Sequence, residues 1–524
     1  MAALLIITSV ILLVLVWGFY PLPGRRGKNL PPGPPTLPFV GNLHMIPRRR
    51  LDLKLSQLAK TYGSIFSLKI GSGTMVVLNS AKAGIEVMDK HSLVSSNRPP
   101  SYILSHRVFN GNHPMYMAPA DRWKLRRKLY HQILQESVVN KVHVPLVEAE
   151  SCQLVRDICS KPEHLMLHPG RYSNSVVMSL VFGIRTPSHD TPHYLKLRQL
   201  MTKILSLGEI GATPPIDLFP FLKYLPENLW GNWKTRAVDL REFAHGLYGP
   251  LVEQVMTRRD TTGKRLETFL DGVLDENEKM GLNREEINIM CGNLLEGGTD
   301  TTGTLILTLW QAMALNPEIL AEAHTQIDSL LDESTMPTWA DYERLPFVAM
   351  IVKELQRWRA PARTAFPHAM DQDYEIDGMT VPKGATVILN AWNVHHDPER
   401  WDRPQDFNPG RYTDMTQLAS VYANSRDPQR RDHFGYGIGR RICPGIHLAE
   451  RTLWLAMARI LWAFDIKPKV DATTGKPIPI DVDPVTGYTD GFVNQCLPFE
   501  VHVKIRSEKR RETLFRDELI HAFE

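Results

Sequence analysis

Apolar residues recur at three- and four-residue intervals through Leu51–Tyr62, Arg122–Leu134, Arg284–Leu315 and Ile446–Phe464, the period of helices that turn one stripe toward a core. Strand-like runs are shorter. Ser64–Ile70 and Thr74–Leu78 read as one hairpin, and Tyr374–Val381 as another, with Asp377-Gly378 at its turn between β-forming flanks. The pattern predicts a mainly α fold with a minor β portion, in a single large domain. The sequence has neither alternating βαβ units nor a Gly-rich dinucleotide loop, so electrons from a pyridine nucleotide would have to arrive through another protein.

One apolar run is of a different kind. Ala2–Tyr20 carries no charge over nineteen residues, which at ~1.5 Å per residue nearly spans a bilayer core. A cleaved signal peptide is the alternative, but its apolar stretch is usually shorter and ends at small residues, whereas this one ends in aromatics and Pro21. Residues 2–20 are therefore expected to be a transmembrane anchor, with Arg25, Arg26 and Lys28 keeping the remainder of the chain on the cytosolic side. Leu30–Pro38 holds five prolines in nine residues. Residues 21–40 are thus expected to form a basic, proline-rich hinge and a stiff extended spacer, ahead of a large globular domain over 41–524.

Composition narrows the chemistry. With 61 basic and 57 acidic residues the net charge is +4, not the one-sided footprint of a nucleic-acid binder. Five cysteines, Cys152, Cys159, Cys291, Cys443 and Cys496, lack CxxC spacing and are few for the length. That argues against a disulfide framework or structural zinc and for a reducing compartment.

From His433 the chain runs HFGYGIGRRICPGIHLAERTLWLAMARILWAF. Glycines 435, 437, 439 and 445 let backbone lie close to a flat cofactor and aim amides at the Cys443 sulfur, while the following helix start, Arg440 and Arg441 favour a thiolate. A buried structural cysteine beside a Gly-rich turn is the alternative. The segment resembles the haem-binding signature of the cytochrome P450 family, Phe-x-x-Gly-x-Arg-x-Cys-x-Gly. Gly439, Arg441, Cys443 and Gly445 match, and Tyr436 stands where the family has Phe, with Phe434 two residues earlier. The resemblance implies haem b with Cys443 as the ligand to its iron.

Three further constellations come in the family's order. Gly297-Gly-Thr-Asp-Thr-Thr302 interrupts an apolar helix with paired glycines that cost ~1 kcal/mol each relative to alanine, so something is expected to approach that backbone. Thr301 has the spacing to donate its hydroxyl to the Gly297 carbonyl, although the segment also reads as a helix end with Thr and Asp caps. By resemblance it is the oxygen-activating helix, with Asp300 and Thr301 as catalytic proton donors. Glu354 and Arg357, spaced i, i+3, would alone be an ordinary surface pair. Upstream of Phe407-Asn-Pro-Gly-Arg411 they resemble the family's structural charge triad with Arg411. Trp123, Arg127, Arg98 and His368 fall where related proteins bind haem propionates, carboxylates that need buried cations, and Arg441 of the cysteine signature is a further expected cofactor-binding residue. Individually each would pass as a surface Arg or an ordinary His.

The implied activity is insertion of one oxygen atom from dioxygen into an apolar organic substrate, with electrons from an NADPH-dependent flavoprotein reductase. Arg430, Arg431, Arg440, Arg441, Lys124 and Lys128 form its expected docking patch, or else a merely solvated face. The implied location is the endoplasmic reticulum membrane. Ile103, Leu104, Phe109, Leu294, Ala365 and Phe492 predict an apolar pocket. The style of the anchor and of the cysteine loop is similar to filamentous-fungal members that oxidise small aromatics or secondary-metabolite intermediates. A haem-thiolate isomerase or dehydratase that uses no dioxygen, and a gas-carrying haem protein, are the rival readings.

Overall fold

The computed structural model describes residues 8, 9 and 23–516. The expected anchor thus lies outside the described residues apart from residues 8 and 9, and among the described residues no helix is long and apolar enough to cross a membrane. Among the described residues eleven longer helices build the body: α1 Leu51–Tyr62, α2 Asp121–Leu134, α3 Val144–Ser160, α4 His168–Phe182, α5 Pro192–Gly208, α6 Trp233–Thr262, α7 Phe269–Met280, α8 Arg284–Leu315, α9 Pro317–Leu330, α10 Pro346–Trp358 and α11 Ile446–Ala463. The minor β portion is β1 Ile65–Ile70, β2 Gly73–Leu78, β3 His368–Ala369, β4 Tyr374–Ile376, β5 Met379–Val381, β6 Thr386–Leu389, β7 Phe464–Pro468 and β8 Val501–Ile505.

Both predicted hairpins form. Ile65 pairs with Leu78 across β1 and β2. In β4–β5, Asp377 and Gly378 take positive φ values of 49° and 74°, as a tight two-residue turn requires. β2 also pairs in parallel with β6, which pairs antiparallel with β3, so residues about 300 positions apart share one sheet. The proline-rich segment is extended but docked, with Pro32 accepting from the Ser67 amide and Arg26 donating to the Ser67 carbonyl at 2.9 Å.

The core centres on α8, the longest helix, which starts in a capping box of Asn283 and Glu286. It crosses α4 closely because Gly303 lies against Gly170 and Gly298 against Val177, where an added β-carbon would come within 2.5 Å of a Val177 methyl. Two large rings on α11 are fully buried: Trp454 packs against Trp339 and Tyr342, and Trp462 lies against Arg510.

Candidate active site

The cysteine loop is held by segments far earlier in the chain. Gly439 takes φ +65° with an added β-carbon 2.0 Å from the Met88 carbonyl, so only glycine fits there. The Cys443 amide donates to the Tyr436 carbonyl at 2.8 Å. Burial pushes the Cys443 thiol above its ordinary pKa, while a hydrogen bond from the Gly445 amide and the charge of Arg127 pull it back down. The electrostatic help therefore differs from the sequence expectation. Arg440 is exposed to solvent, and Arg441 turns away to donate to the carbonyls of Ser96 (2.9 Å) and Met117 (2.7 Å). Arg127, on α2, donates to the Ile442 carbonyl at 2.6 Å and is the cation beside the sulfur. The Tyr436 hydroxyl, the departure from the family signature, accepts from the Gln356 amide at 3.1 Å.

Around this loop the predicted cofactor residues converge. The Arg441 guanidinium lies 4.0 Å above the Trp123 ring. Arg98 donates to the carbonyls of Met115, Phe366 and Pro367 at 2.8, 3.1 and 2.8 Å. Burial, with repulsion from Arg441, lowers Arg98 to about 9, and burial, with repulsion from Arg127, lowers Arg441 to about 10. Among the described ion pairs none involves Arg98, Arg127 or Arg441, and each keeps a guanidinium nitrogen with no protein partner. Three cations clustered without a carboxylate fit a ligand that brings its own, as the two propionates of a haem would.

His368 fits less simply. Its Nδ1 lies 2.7 Å from the Ser95 carbonyl and carries the ring proton, while burial and Arg98 lower the pKa to about 3. The neutral ring leaves Nε2 as an acceptor, so donating to a carboxylate there requires a second proton.

Above the loop, α8 carries the Gly297–Thr302 segment. The Thr301 hydroxyl donates to the Gly297 carbonyl at 2.8 Å, as its spacing predicts. Gly297 has open space beyond its α-carbon, whereas Gly298 serves the packing against Val177, so only one of the two glycines is free for an approaching group. Asp300 points to the other side, into a cavity lined by Tyr194, Arg198, Thr299, Gly303, Thr304 and Gln495. Burial raises its carboxyl to about 6, opposed by Arg198. Asp300 thus faces a polar cavity, while its neighbour Thr301 stands at the groove left open beside Gly297.

Glu354, Arg357 and Arg411 form a buried ion triad. Arg357 meets Glu354 through Nε and Nη2 at 2.7 Å each and spends its remaining donors on the carbonyls of His395, Pro404 and Asp406. Arg411 approaches Glu354 at 3.4 Å. The predicted docking patch is smaller than expected. Lys124, Lys128, Arg430 and Arg440 are exposed, but Arg431 is buried in an ion pair with Asp89 and Arg441 faces the cofactor cradle.

Sequence reasoning missed a buried polar knot. Glu296, one residue before Gly297, receives the Tyr248 hydroxyl and lies 2.9 Å from His113 Nε2. Its signal was an acid inside an apolar helix. The missed partners of Asp300, Tyr194 and Arg198, stand on α5, where nothing in the local pattern marks them.

The cytochrome P450 family model matches residues 31–482. Cytochrome P450 monooxygenase anuE of Penicillium roqueforti is 56% identical over 465 residues, 88% of this chain and 94% of that protein. Cytochrome P450 monooxygenase macC of Penicillium terrestre is 42% identical, covering 94% of this chain and 92% of its own length. Cytochrome P450 monooxygenase patH of Aspergillus clavatus is 42% identical, covering 99% and 97%. Nothing in these matches favours the rival readings without dioxygen chemistry. With a thiol under a cationic cradle, an acid and a hydroxyl on the facing helix and relatives along nearly its whole length, the chain belongs to the cytochrome P450 family and is a haem-dependent monooxygenase.

Proposed function

We propose that the chain is a membrane-bound monooxygenase of fungal secondary metabolism that hydroxylates an apolar substrate, above all a small aromatic or phenolic compound. The observation that carries the reading is Cys443 with Arg127 beside it, at the edge of a cluster of three guanidiniums, Arg98, Arg127 and Arg441, that lack carboxylate partners. In this reading Cys443 is the iron ligand, and Arg98, Trp123, Arg127 and Arg441 hold the haem propionates, with His368 contributing once protonated. The bound haem supplies dioxygen activation and oxygen-atom transfer, which thiolate ligation favours.

The chain's own residues do the rest. Asp300, with a pKa near 6, takes protons from the Arg198 cavity and gives them up toward the groove. Thr301, fixed on the Gly297 carbonyl, holds a hydroxyl at the groove mouth. Ile103, Leu104, Phe109, Leu294, Ala365 and Phe492 keep water out and favour an apolar ligand.

Residues 2–20 are proposed as an anchor in the endoplasmic reticulum membrane, 21–40 as the hinge and 41–524 as the cytosolic catalytic domain. Leu37, Phe39 and Val40 are exposed on one side of Gly71, and Phe221 and Tyr224 come after the Phe219 ring that packs on it, which supports contact with a lipid surface. Exposed Lys124, Lys128, Arg430 and Arg440 support docking of an NADPH-dependent flavoprotein reductase.

The test has two stages. The dithionite-reduced, carbon monoxide-bound protein should have the red-shifted Soret band of thiolate ligation, and its absence overturns Cys443 as the ligand. Titration of the ferric protein with phenols, aryl acids, polyketides and terpenes should then give a saturable low-spin to high-spin shift with a small aromatic, and product should require NADPH and reductase. A response confined to larger scaffolds would overturn the small-aromatic assignment.

A further inference from the structure

Five rings run in a row between the cofactor cradle and α8. Phe109 and His113 are 4.5 Å apart between ring centroids, His113 and Tyr116 5.2 Å, Tyr116 and Phe366 5.4 Å, and Phe366 and Phe492 5.4 Å. Beyond His113, which is held by Glu296, the row is apolar except at Tyr116, which is half-buried. Tyr130, Tyr172 and Tyr412 donate their hydroxyls to the carbonyls of Met290, Thr452 and Asp432, and Tyr248 donates to Glu296. Among the described residues the Tyr116 hydroxyl has no hydrogen-bond partner, while its backbone amide donates to the His113 carbonyl.

Its position joins the two halves of the site. The Arg98 charge lies 4.7 Å from the adjacent Phe366 ring, and Glu296 precedes the open Gly297. The Tyr116 ring touches His113, which holds Glu296, on one side and Phe366, under Arg98, on the other, so the side chain lies between the two charges.

We propose that Tyr116 is a specificity-determining residue whose hydroxyl donates a hydrogen bond to a phenolic or carbonyl oxygen of an aromatic substrate packed against Phe366 and Phe492. The inference rests on the small-aromatic reading above and adds which atom of the protein recognises the oxygen. Burial and the Glu296 carboxylate keep the tyrosine protonated, which makes it a donor. The same carboxylate disfavours an anionic ligand, so a neutral phenol is preferred to an aryl carboxylate. An apolar ligand leaves the hydroxyl without a partner, and a site built to bond a hydroxyl discriminates against the analogue lacking it.

The experiment uses the full-length, haem-loaded protein and its Tyr116→Phe variant, with spin-state titrations against 3-methylphenol, toluene, 3-methylbenzoate and a terpene alcohol with its parent hydrocarbon. The wild type should bind 3-methylphenol about tenfold or more tightly than toluene. Tyr116→Phe should lose that preference while binding toluene as before. A preference that survives in the variant, or a wild type indifferent to the hydroxyl, overturns the proposal. So does a variant that fails to give the thiolate–carbon monoxide band, since Tyr116 would then support the cradle instead. If only the terpene pair responds, the small-aromatic reading fails. Tyr116 is then judged on that pair, and a variant that still prefers the alcohol overturns its role as donor.

Discussion

Replacing Asp300 by asparagine should make the protein more stable and less active, and the size of the first effect can be worked from the site. The carboxyl lies in the cavity between α4, α5 and α8, and burial raises its pKa from the ordinary 3.8 to about 6 against the pull of Arg198. The folded protein thus binds this proton more tightly than the unfolded chain does. Below pH 3.8 both states hold the proton and Asp300 costs nothing on this account. As pH rises toward about 6, folding must hold a carboxylate in a site that disfavours it. At 1.36 kcal/mol per pH unit the full cost is about 3 kcal/mol above pH 6, with about half of it present at pH 5. Asparagine keeps the shape and removes the titration. For a chain this long, with Tm moving roughly 1–2 °C per kcal/mol, the variant should melt about 3–6 °C higher at pH 7.5. The gain should halve at pH 5. Thermal unfolding of the haem-loaded protein across that range is the assay, alongside product formation, which should fall by roughly 10²-fold. A Tm difference independent of pH, or a variant less stable at both ends, would refute the reasoning.

Thr301→Ala frees the Gly297 carbonyl and removes the groove hydroxyl. Product formed per NADPH consumed should fall about tenfold with the thiolate band intact, and unchanged coupling would argue against a proton role. Glu354→Ala leaves Arg357 buried without its carboxylate and should cost about 3–5 kcal/mol in denaturant unfolding; a loss under about 1 kcal/mol would mean that the backbone carbonyls suffice. Arg441→Leu keeps an apolar group against Trp123 but removes a cation from the cradle. Haem release to a scavenging apoprotein should speed up about tenfold or more, and an unchanged rate would remove Arg441 from propionate binding.

Local chemistry was legible where one segment carried its own reason. The α1 and α8 boundaries, the Asp377-Gly378 turn and the Thr301–Gly297 bond all come from spacing within a few residues. The features that escaped depend on partners far along the chain. The apolar period does not reveal that β2 takes β6 as a parallel neighbour, since both strands are short and each would pair with any edge. The two α8 glycines looked equivalent in sequence, yet one faces Val177 and the other open space, a difference set by how α4 crosses. Arg440 and Arg441 flank the cysteine loop, but the cation beside the sulfur is Arg127, brought in by α2 from more than 300 positions away. The His113–Glu296–Tyr248 knot likewise joins three separate segments.

The contact between Gly439 and the Met88 carbonyl also bears on the order in which the protein is made. The cysteine loop closes on backbone about 350 residues earlier, and Arg441 closes on Ser96. At roughly 5–20 residues per second, the ribosome needs about 20–70 s between releasing the first of these segments and the second. For that interval residues 88–96 have no loop to brace and the cations of the cradle lie on unconnected pieces of chain. Contacts of such long range form late and slowly, so cofactor capture is expected to come after synthesis of α11 and not to accompany the emerging chain.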